Sequence, residues 1–157
     1  MKTLNILDKY LTIVSSLLDI NKEELLITVD KEIIGSLPDY TKPEFPVNWS
    51  LGTYELVTKE NKLIASWELY QMPHCCGIMV STKAFVVEQY RGKRVGGVLN
   101  QLRQDIGTHL GFSLMFCTDI VQNIHQRQLL NTQGFQDIYA FVNRRTTNTV
   151  ILSVINL

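Results

Sequence analysis

The residues that could do chemistry lie in one short run, where an apolar segment leads into a basic loop and then into a predicted helix. The run reads Phe85-Val86-Val87-Glu88-Gln89-Tyr90-Arg91-Gly92-Lys93-Arg94-Val95-Gly96-Gly97. The first turn of a helix has amides without intrahelical partners, and the helix dipole adds partial positive charge there. Glycines let a ligand approach the backbone closely, and the three basic side chains add full charges. This junction predicts a binding site for a diphosphate.

The same run has a simpler interpretation, a surface turn in which glycine satisfies the geometry and the basic side chains are solvated. Two familiar nucleotide-binding loops are disfavoured, because the chain lacks their motifs. It has no Gly-x-x-x-x-Gly-Lys-Ser/Thr run and no Gly-x-Gly-x-x-Gly after a first strand. The diphosphate site and the plain turn therefore remain the two interpretations of this segment.

Strands alternate with helices from Gly77 onward, which predicts a mixed α/β sheet with crossover connections. The predicted elements are a strand over 78–87, a helix over 95–110, a strand over 113–118, a helix over 123–132, and strands near 135–142 and 150–155. Upstream, 53–58 and 62–69 form a predicted hairpin around a polar turn. These elements place the basic loop between a strand and a helix.

The first fifty residues have a different pattern. Leucines and Val14 recur at three- and four-residue steps up to Leu18, which predicts a first amphipathic helix. Asn21 and Glu24 resemble a capping box, and the apolar residues over 25–37 favour a second helix, with a short strand over 26–29 as the alternative. Pro38, Pro43 and Pro46 predict a loop after it.

Composition limits the class of protein. A chain of 157 residues with 45% hydrophobic residues fits one domain, which we divide into 1–48, a helical and proline-rich region, and 49–157, the core sheet. Fifteen basic residues balance fifteen acidic ones, which argues against a nucleic-acid partner. No apolar stretch reaches membrane-spanning length, and three cysteines form neither a disulfide framework nor a zinc spacing. We expect a cytoplasmic protein without membrane or metal.

Two motifs in this chain occur together in a known family. Arg91-Gly92-Lys93-Arg94-Val95-Gly96 follows the pattern Gln/Arg-x-x-Gly-x-Gly/Ala, with Arg94 in place of the first glycine, and Phe85-Val86-Val87 provides the apolar lead-in. Downstream, Asn123 precedes Gly134-Phe135 by eleven and twelve residues. On these motifs the chain resembles the GNAT superfamily of N-acetyltransferases over roughly residues 53–157.

The resemblance implies a fold of the α/β (α+β) class. Its sheet is mixed but mostly antiparallel, splayed between the family's fourth and fifth strands and flanked by helices, and here it would carry a helical N-terminal extension. The resemblance also implies acetyl-CoA as the acyl-donor substrate. Its pantetheine arm would lie in the gap between the splayed strands and pair with the fourth strand.

The resemblance also assigns roles to residues. Phe85, Val86 and Val87 would supply the strand edge, and the segment from Arg91 to Gly97 (Arg91, Gly92, Lys93, Arg94, Val95, Gly96, Gly97) would hold the pyrophosphate. Asn123 would contact the pantetheine region. The backbone amide of Val87 would stabilise the oxyanion as an amine attacks the thioester, a contribution on the order of 3 to 4 kcal/mol for one such donor.

The side chains that transfer protons elsewhere in the family are missing. The position of the usual tyrosine acid is Leu130, and the positions of the usual carboxylate base are Thr118 and Ser81. Asp119, Glu68 and His74 are candidate substitutes, each with a structural explanation, and bound water is an equal alternative. Cys75-Cys76 beside His74 could be a nucleophile pair or half a metal site, but buried thiols on a strand are more common and no second ligand pair is spaced to help. We therefore name no acid or base.

Three functions remain open at this stage. The first is transfer of an acetyl group from acetyl-CoA to a primary amine by direct attack in a ternary complex. The second is a catalytically degenerate GNAT-like module that binds CoA without turnover. The third is a GNAT-like enzyme with a protein or nucleic-acid acceptor. A homodimer is compatible with each of them.

Overall fold

The computed structural model describes residues 5–38 and 49–157, and within these ranges it contains three α-helices and eight β-strands. In chain order they are α1 (Ile6–Leu18), β1 (Leu25–Val29), β2 (Glu32–Ile34), β3 (Ser50–Thr58), β4 (Leu63–Gln71), β5 (Ile78–Val86), α2 (Val95–His109), β6 (Leu114–Ile120), α3 (Ile124–Thr132), β7 (Gln136–Val142) and β8 (Thr149–Asn156). No helix in the described ranges combines the length and the apolar character that a membrane span requires.

The eight strands form one sheet in the order β2-β1-β3-β4-β5-β6-β8-β7. Every neighbouring pair is antiparallel except β5 and β6, which are parallel. These two strands pair only from Ile78 opposite Leu114 to Val80 opposite Phe116, and the register then ends. The predicted mixed, mostly antiparallel sheet with a splay between two strands is confirmed.

The core forms where α1 and α2 pack together against the sheet. Leu7, Tyr10, Val14 and Leu18 are the buried positions of α1, spaced at three and four residues as the sequence predicts. Tyr10 Oη donates a 2.6 Å hydrogen bond to Asp105 Oδ2 on α2, which fixes the two helices to each other. Burial of these side chains is the main stabilising contribution of α1.

The predicted second helix over 25–37 is wrong, and the short-strand alternative is correct. Leu25–Val29 forms β1, which pairs with β2 on one side and with β3 on the other. Asp30 and Lys31 both have positive φ, 49° and 72°, in the tight turn between β1 and β2. Pairing with β3 buries Leu25 and Ile27, so this tertiary contact outweighs a pattern that also fits a helix.

The remaining elements lie close to their predicted bounds, and the hairpin of β3 and β4 is confirmed. Asn21 Oδ1 accepts a hydrogen bond from Glu23 N, so the predicted cap exists but begins a single 3-10 turn. Pro38 is the last described residue before the gap. The proline loop predicted beyond it, with Pro43 and Pro46, lies outside the described residues.

Candidate functional site

A cavity of about 980 Å³ lies beside the end of β5, at the side of the sheet where β5 and β6 have parted. The strand contributes Ala84, Phe85 and Val86 to its wall. The rest of the wall is formed by the loop, α2 from its start to Arg103, the helix α3, and Ser66 and Trp67 of β4. The volume falls in the range of small-molecule sites, about 300 to 1,000 Å³.

Most of the residues predicted to contact the donor substrate meet in this cavity. Those that line it are Phe85, Val86, Arg91, Gly92, Arg94, Val95, Gly96, Gly97 and Asn123. Val87 and Lys93 do not line it. The structure therefore brings together residues that are up to 38 positions apart in the sequence, and their contact with a ligand stays a prediction.

The loop reaches the cavity through two residues in the left-handed region of backbone space. Gly92 has φ +74°, which glycine adopts without steric cost. Arg94 has φ +65° and ψ 8°, at the position immediately before α2 where the family pattern has glycine. A side chain in this conformation costs about 1 kcal/mol or more. Arg94 thus has a strained backbone conformation, and its charge lies at the start of α2.

The two glycines of the first turn of α2 have different surroundings. A Cβ on Gly96 would lie 3.8 Å from Val86 Cγ2, an ordinary contact. A Cβ on Gly97 would lie 3.2 Å from Leu129 Cδ1 and 3.4 Å from Gln133 Nε2 on α3, which is tight. Gly96 therefore lines the cavity with backbone alone, whereas the absence of a side chain at Gly97 allows α3 to approach α2.

The predicted oxyanion role of the Val87 amide does not agree with the structure. Val87 N donates a 2.9 Å hydrogen bond to Ile64 O on β4, so this amide is already used within the sheet. Amides along a strand point alternately to its two sides, so the Val86 amide points away from β4, toward the open edge. The carbonyl oxygen of Val86 also lies on that side and accepts a 2.8 Å hydrogen bond from Arg91 Nε.

Asn123 lies at the N-terminus of α3, with its side chain exposed and lining the cavity. Asn123 Oδ1 accepts a long 3.4 Å hydrogen bond from Gln126 N, which is the ordinary role of a helix cap. Its side-chain amide nitrogen is an additional donor that can face a ligand. Both the structural role and the predicted binding role are therefore compatible with its position.

Leu130, Ser81 and Thr118 occupy the positions of the family's usual acid and base. Leu130 is 1% exposed and packs in the core, so no proton donor is present there. Ser81 is buried, and its hydroxyl oxygen accepts a 2.9 Å hydrogen bond from Arg103 Nη1. Thr118 is exposed on β6. None of these three side chains lines the cavity.

The three candidate substitutes lie away from the cavity as well. Glu68 accepts hydrogen bonds from Tyr70 Oη at 2.7 Å and from Lys83 Nζ at 3.1 Å, and the bond from Tyr70 is the main reason that the pKa of Glu68 is lowered. Burial raises the pKa of Asp119, whose two carboxylate oxygens are buried without a hydrogen-bond partner among the described residues.

His74, the third substitute, packs edge-on against the Trp49 ring, with ring centroids 5.3 Å apart. Its neighbours Cys75 and Cys76 are free thiols, as is Cys117. The described residues contain no group of three or more His, Cys, Asp or Glu side chains arranged to hold a metal ion.

Sequence reasoning missed Arg103, which is 5% exposed and lines the cavity. Arg103 Nη2 donates a 2.7 Å hydrogen bond to Asn100 Oδ1, in addition to the bond from Nη1 to Ser81. The signal was its spacing: position 103 falls four residues after Leu99 and three before Ile106, within the apolar stripe of α2. Burial lowers the pKa of Arg103 to about 10, so the guanidinium stays charged near neutral pH.

No protein-family model matches the chain, and no curated protein matches it in sequence. Solved structures do match it in three dimensions. An IAA acetyltransferase from Bacillus cereus aligns over 85% of this chain and 99% of its own, with a TM-score of 0.60 at 14% identity. The spermidine N-acetyltransferase from Vibrio cholerae, in complex with CoA and spermine, aligns over 69% of this chain and 66% of its own, with a TM-score of 0.59 at 18% identity.

A third match is a candidate acetyltransferase of the GNAT family from Desulfovibrio desulfuricans. It aligns over 67% of each chain, with a TM-score of 0.57 at 15% identity. At these identities the likeness concerns the arrangement of the chain in space. It agrees with the two motifs found in the sequence and shows that this chain has the fold of the GNAT superfamily of N-acetyltransferases.

Proposed function

We propose that this chain is an N-acetyltransferase that transfers an acetyl group from acetyl-CoA to a primary amine by direct attack in a ternary complex. One observation carries the proposal: the basic helix start and the open edge of β5 face the same cavity. A thioester with a diphosphate at its other end needs both features. The fold supports the same activity, because the similar structures named above are acetyltransferases.

The diphosphate end would bind at the start of α2. Arg91 and Arg94 supply charge at the cavity wall, and the first amides of α2 have no partner within the helix. Gly92 and Gly96 leave the backbone accessible, since neither position has a close neighbour in the direction of a Cβ. This combination of charges, amides and dipole suits a doubly charged diphosphate.

The thioester end would lie along β5, where Phe85 and Val86 line the cavity. The oxyanion donor would be an amide of β5 that points to this open edge, and the Val87 amide does not, because it is used by Ile64. A fixed backbone donor is worth about 3 to 4 kcal/mol to acyl transfer. Arg91 Nε donates a hydrogen bond to Val86 O at the same edge. This bond would have to break before the pantetheine arm could pair with that carbonyl.

The alternative of a degenerate CoA-binding module is favoured by one specific observation. Leu130 is a core side chain, and Ser81 is engaged by Arg103, so neither family position offers a proton-transferring group. Such a module would bind acetyl-CoA at the same cavity but would release no thiol when amines are added. Binding alone therefore does not distinguish the two functions.

Two measurements on the purified chain test the proposal in order. Calorimetry with acetyl-CoA tests the cavity, and the absence of binding heat together with no thermal shift would exclude both the enzyme and the module. Thiol release from acetyl-CoA is then followed with polyamines, aminoglycosides, amino acids and peptides with free N-termini. Binding with thiol release for one of these amines supports the enzyme, whereas binding without release for all of them supports the module.

A further inference from the structure

Arg103 lies at the point where the sheet begins to open. The last residues that pair β5 with β6 are Val80 and Phe116, and the next residues are Ser81 and Cys117. Arg103 donates to Ser81 Oγ at 2.9 Å, and the charge of Arg103 acts on Cys117. The guanidinium therefore lies against β5 just past its last pair with β6.

The guanidinium has no carboxylate partner in the part of the chain that the structure describes. The five salt bridges among the described residues do not include Arg103, and its two hydrogen bonds go to the neutral side chains of Ser81 and Asn100. Its Nε is buried and has no acceptor within 5–38 and 49–157. Burial raises the pKa of the nearby Cys117 thiol to about 12, so that this neighbour is uncharged near neutral pH. A buried charge without a counter-ion is costly unless an anion joins it.

The direction of α2 places this charge further along β5 from the diphosphate end. Near its start, the Gly96 position faces Val86, and further along, the Gly107 position faces Met79, so α2 runs antiparallel to β5. Arg103 is eight residues from the helix start at Val95, which is about 12 Å at 1.5 Å per residue. An extended arm that begins at the loop and follows β5 would run toward this point, because Arg103 lines the same cavity as the loop.

We propose that Arg103 stabilises the negative charge on the CoA sulfur when the thioester is broken. The inference rests on the proposed function. The amine lone pair forms the new C–N bond, the electron pair of the C–S bond leaves with sulfur as a thiolate, and the ammonium proton passes to water. The thiolate accepts hydrogen bonds from N–H groups of the guanidinium. The permanent charge of Arg103 thus stabilises the leaving thiolate without transferring a proton. In other members of the family, the tyrosine acid at the position of Leu130 stabilises it by protonation.

The test measures the thiol of bound CoA, which needs no turnover. The ultraviolet absorbance of the thiolate is titrated with CoA alone and with CoA bound to the wild-type chain. We expect binding to lower the thiol pKa by about one unit or more, a tenfold change in its ionisation constant. Arg103→Met, similar in length and uncharged, should return the thiol to the pKa of free CoA, and Arg103→Lys should retain part of the shift.

The outcomes separate the two proposals. CoA bound to the wild type with an unshifted thiol would overturn the role of Arg103 and leave the proposed function intact. The same holds if Arg103→Met binds CoA and keeps the full shift. Absence of CoA binding to the wild type would overturn both proposals. Because the wild-type titration is decisive by itself, the test holds even if Arg103→Met does not fold.

Discussion

Gln133 Nε2 donates a 2.8 Å hydrogen bond to the carbonyl oxygen of Gly97, and this bond joins the C-terminal end of α3 to the first turn of α2. Gln133 Oε1 in turn accepts hydrogen bonds from the amide side chains of Asn100 and Gln104. One glutamine side chain thus connects two turns of α2 to α3. This connection holds the helix start, and with it the basic loop, in a defined position beside the cavity.

The connection predicts different effects for adjacent glycines. A methyl group on Gly97 would meet Leu129 at 3.2 Å and Gln133 at 3.4 Å, whereas one on Gly96 has an ordinary 3.8 Å contact. We expect Gly97→Ala to be less stable than Gly96→Ala by about 1 kcal/mol, because crowding offsets the helix propensity that both gain. Urea unfolding of the two variants measures this, and equal midpoints would contradict it.

Two substitutions at Gly96 distinguish the effect of a negative charge on acetyl-CoA binding from the effect of side-chain size. Gly96→Asp places a carboxylate beside the first amides of α2, where it competes with the diphosphate and repels it. We expect acetyl-CoA affinity to fall about tenfold or more, which corresponds to about 1.4 kcal/mol. Gly96→Ala is the matched control and should bind within a few fold of the wild type. Calorimetry with equal affinities for all three chains would show that this turn does not hold the diphosphate.

Arg94 carries both a charge and a backbone cost. Arg94→Gly and Arg94→Ala remove the same charge, but only glycine relieves the left-handed conformation at φ +65°. We therefore expect the glycine variant to be more stable than the alanine variant by about 1 kcal/mol, with both binding acetyl-CoA more weakly than the wild type. Denaturant unfolding and calorimetry check the two parts separately. An alanine variant as stable as the glycine variant would refute the backbone argument.

The buried carboxylate of Asp119 should make the stability of the folded chain depend on pH. Its carboxylate oxygens are buried without hydrogen-bond partners among the described residues, and burial raises its pKa. A raised pKa in the folded state favours folding at low pH, and this contribution is lost as pH rises from about 4 through the folded pKa. Asp119→Asn does not ionise, so its stability relative to the wild type should be greater at pH 7 than at pH 3.5. A difference that is the same at both pH values would contradict this.

The sequence was sufficient to predict the second half of the fold because its signals there are local. Strand and helix periodicities alternate, and Gly92, Asn123 and Gly134 mark the ends of elements. The loop at Arg91 lies between β5 and α2 as predicted. For β1 the local pattern was ambiguous, since Leu25 and Val29 suit a helix as well as a strand. Only the pairing with β3, twenty or more residues away, decides between them.

The error at Val87 has a geometric origin. Glu68 pairs with Thr82 and Ser66 with Phe85, so β5 has one more residue than β4 in this interval, and Lys83 has φ +51°. This bulge shifts the hydrogen-bonding pattern by one residue. Without it Val86 would lie opposite Ile64, and Val87 would point to the open edge. No residue type in the sequence marks the bulge, and the buried partners of Arg103 were equally invisible before the strands were placed.

The parallel junction between β5 and β6 divides the sheet into a five-stranded half and a three-stranded half joined by three residue pairs. Near this junction, α2 fits closely against both halves through Gly107, where a Cβ would come within 2.8 Å of Met79 Cε and 2.6 Å of Leu157 Cδ1. β5 extends about 20 Å beyond Val80. A small rotation at the junction therefore becomes a much larger change in width at Val86. The packing around Gly107, which does not line the cavity, thus influences the width of the cavity.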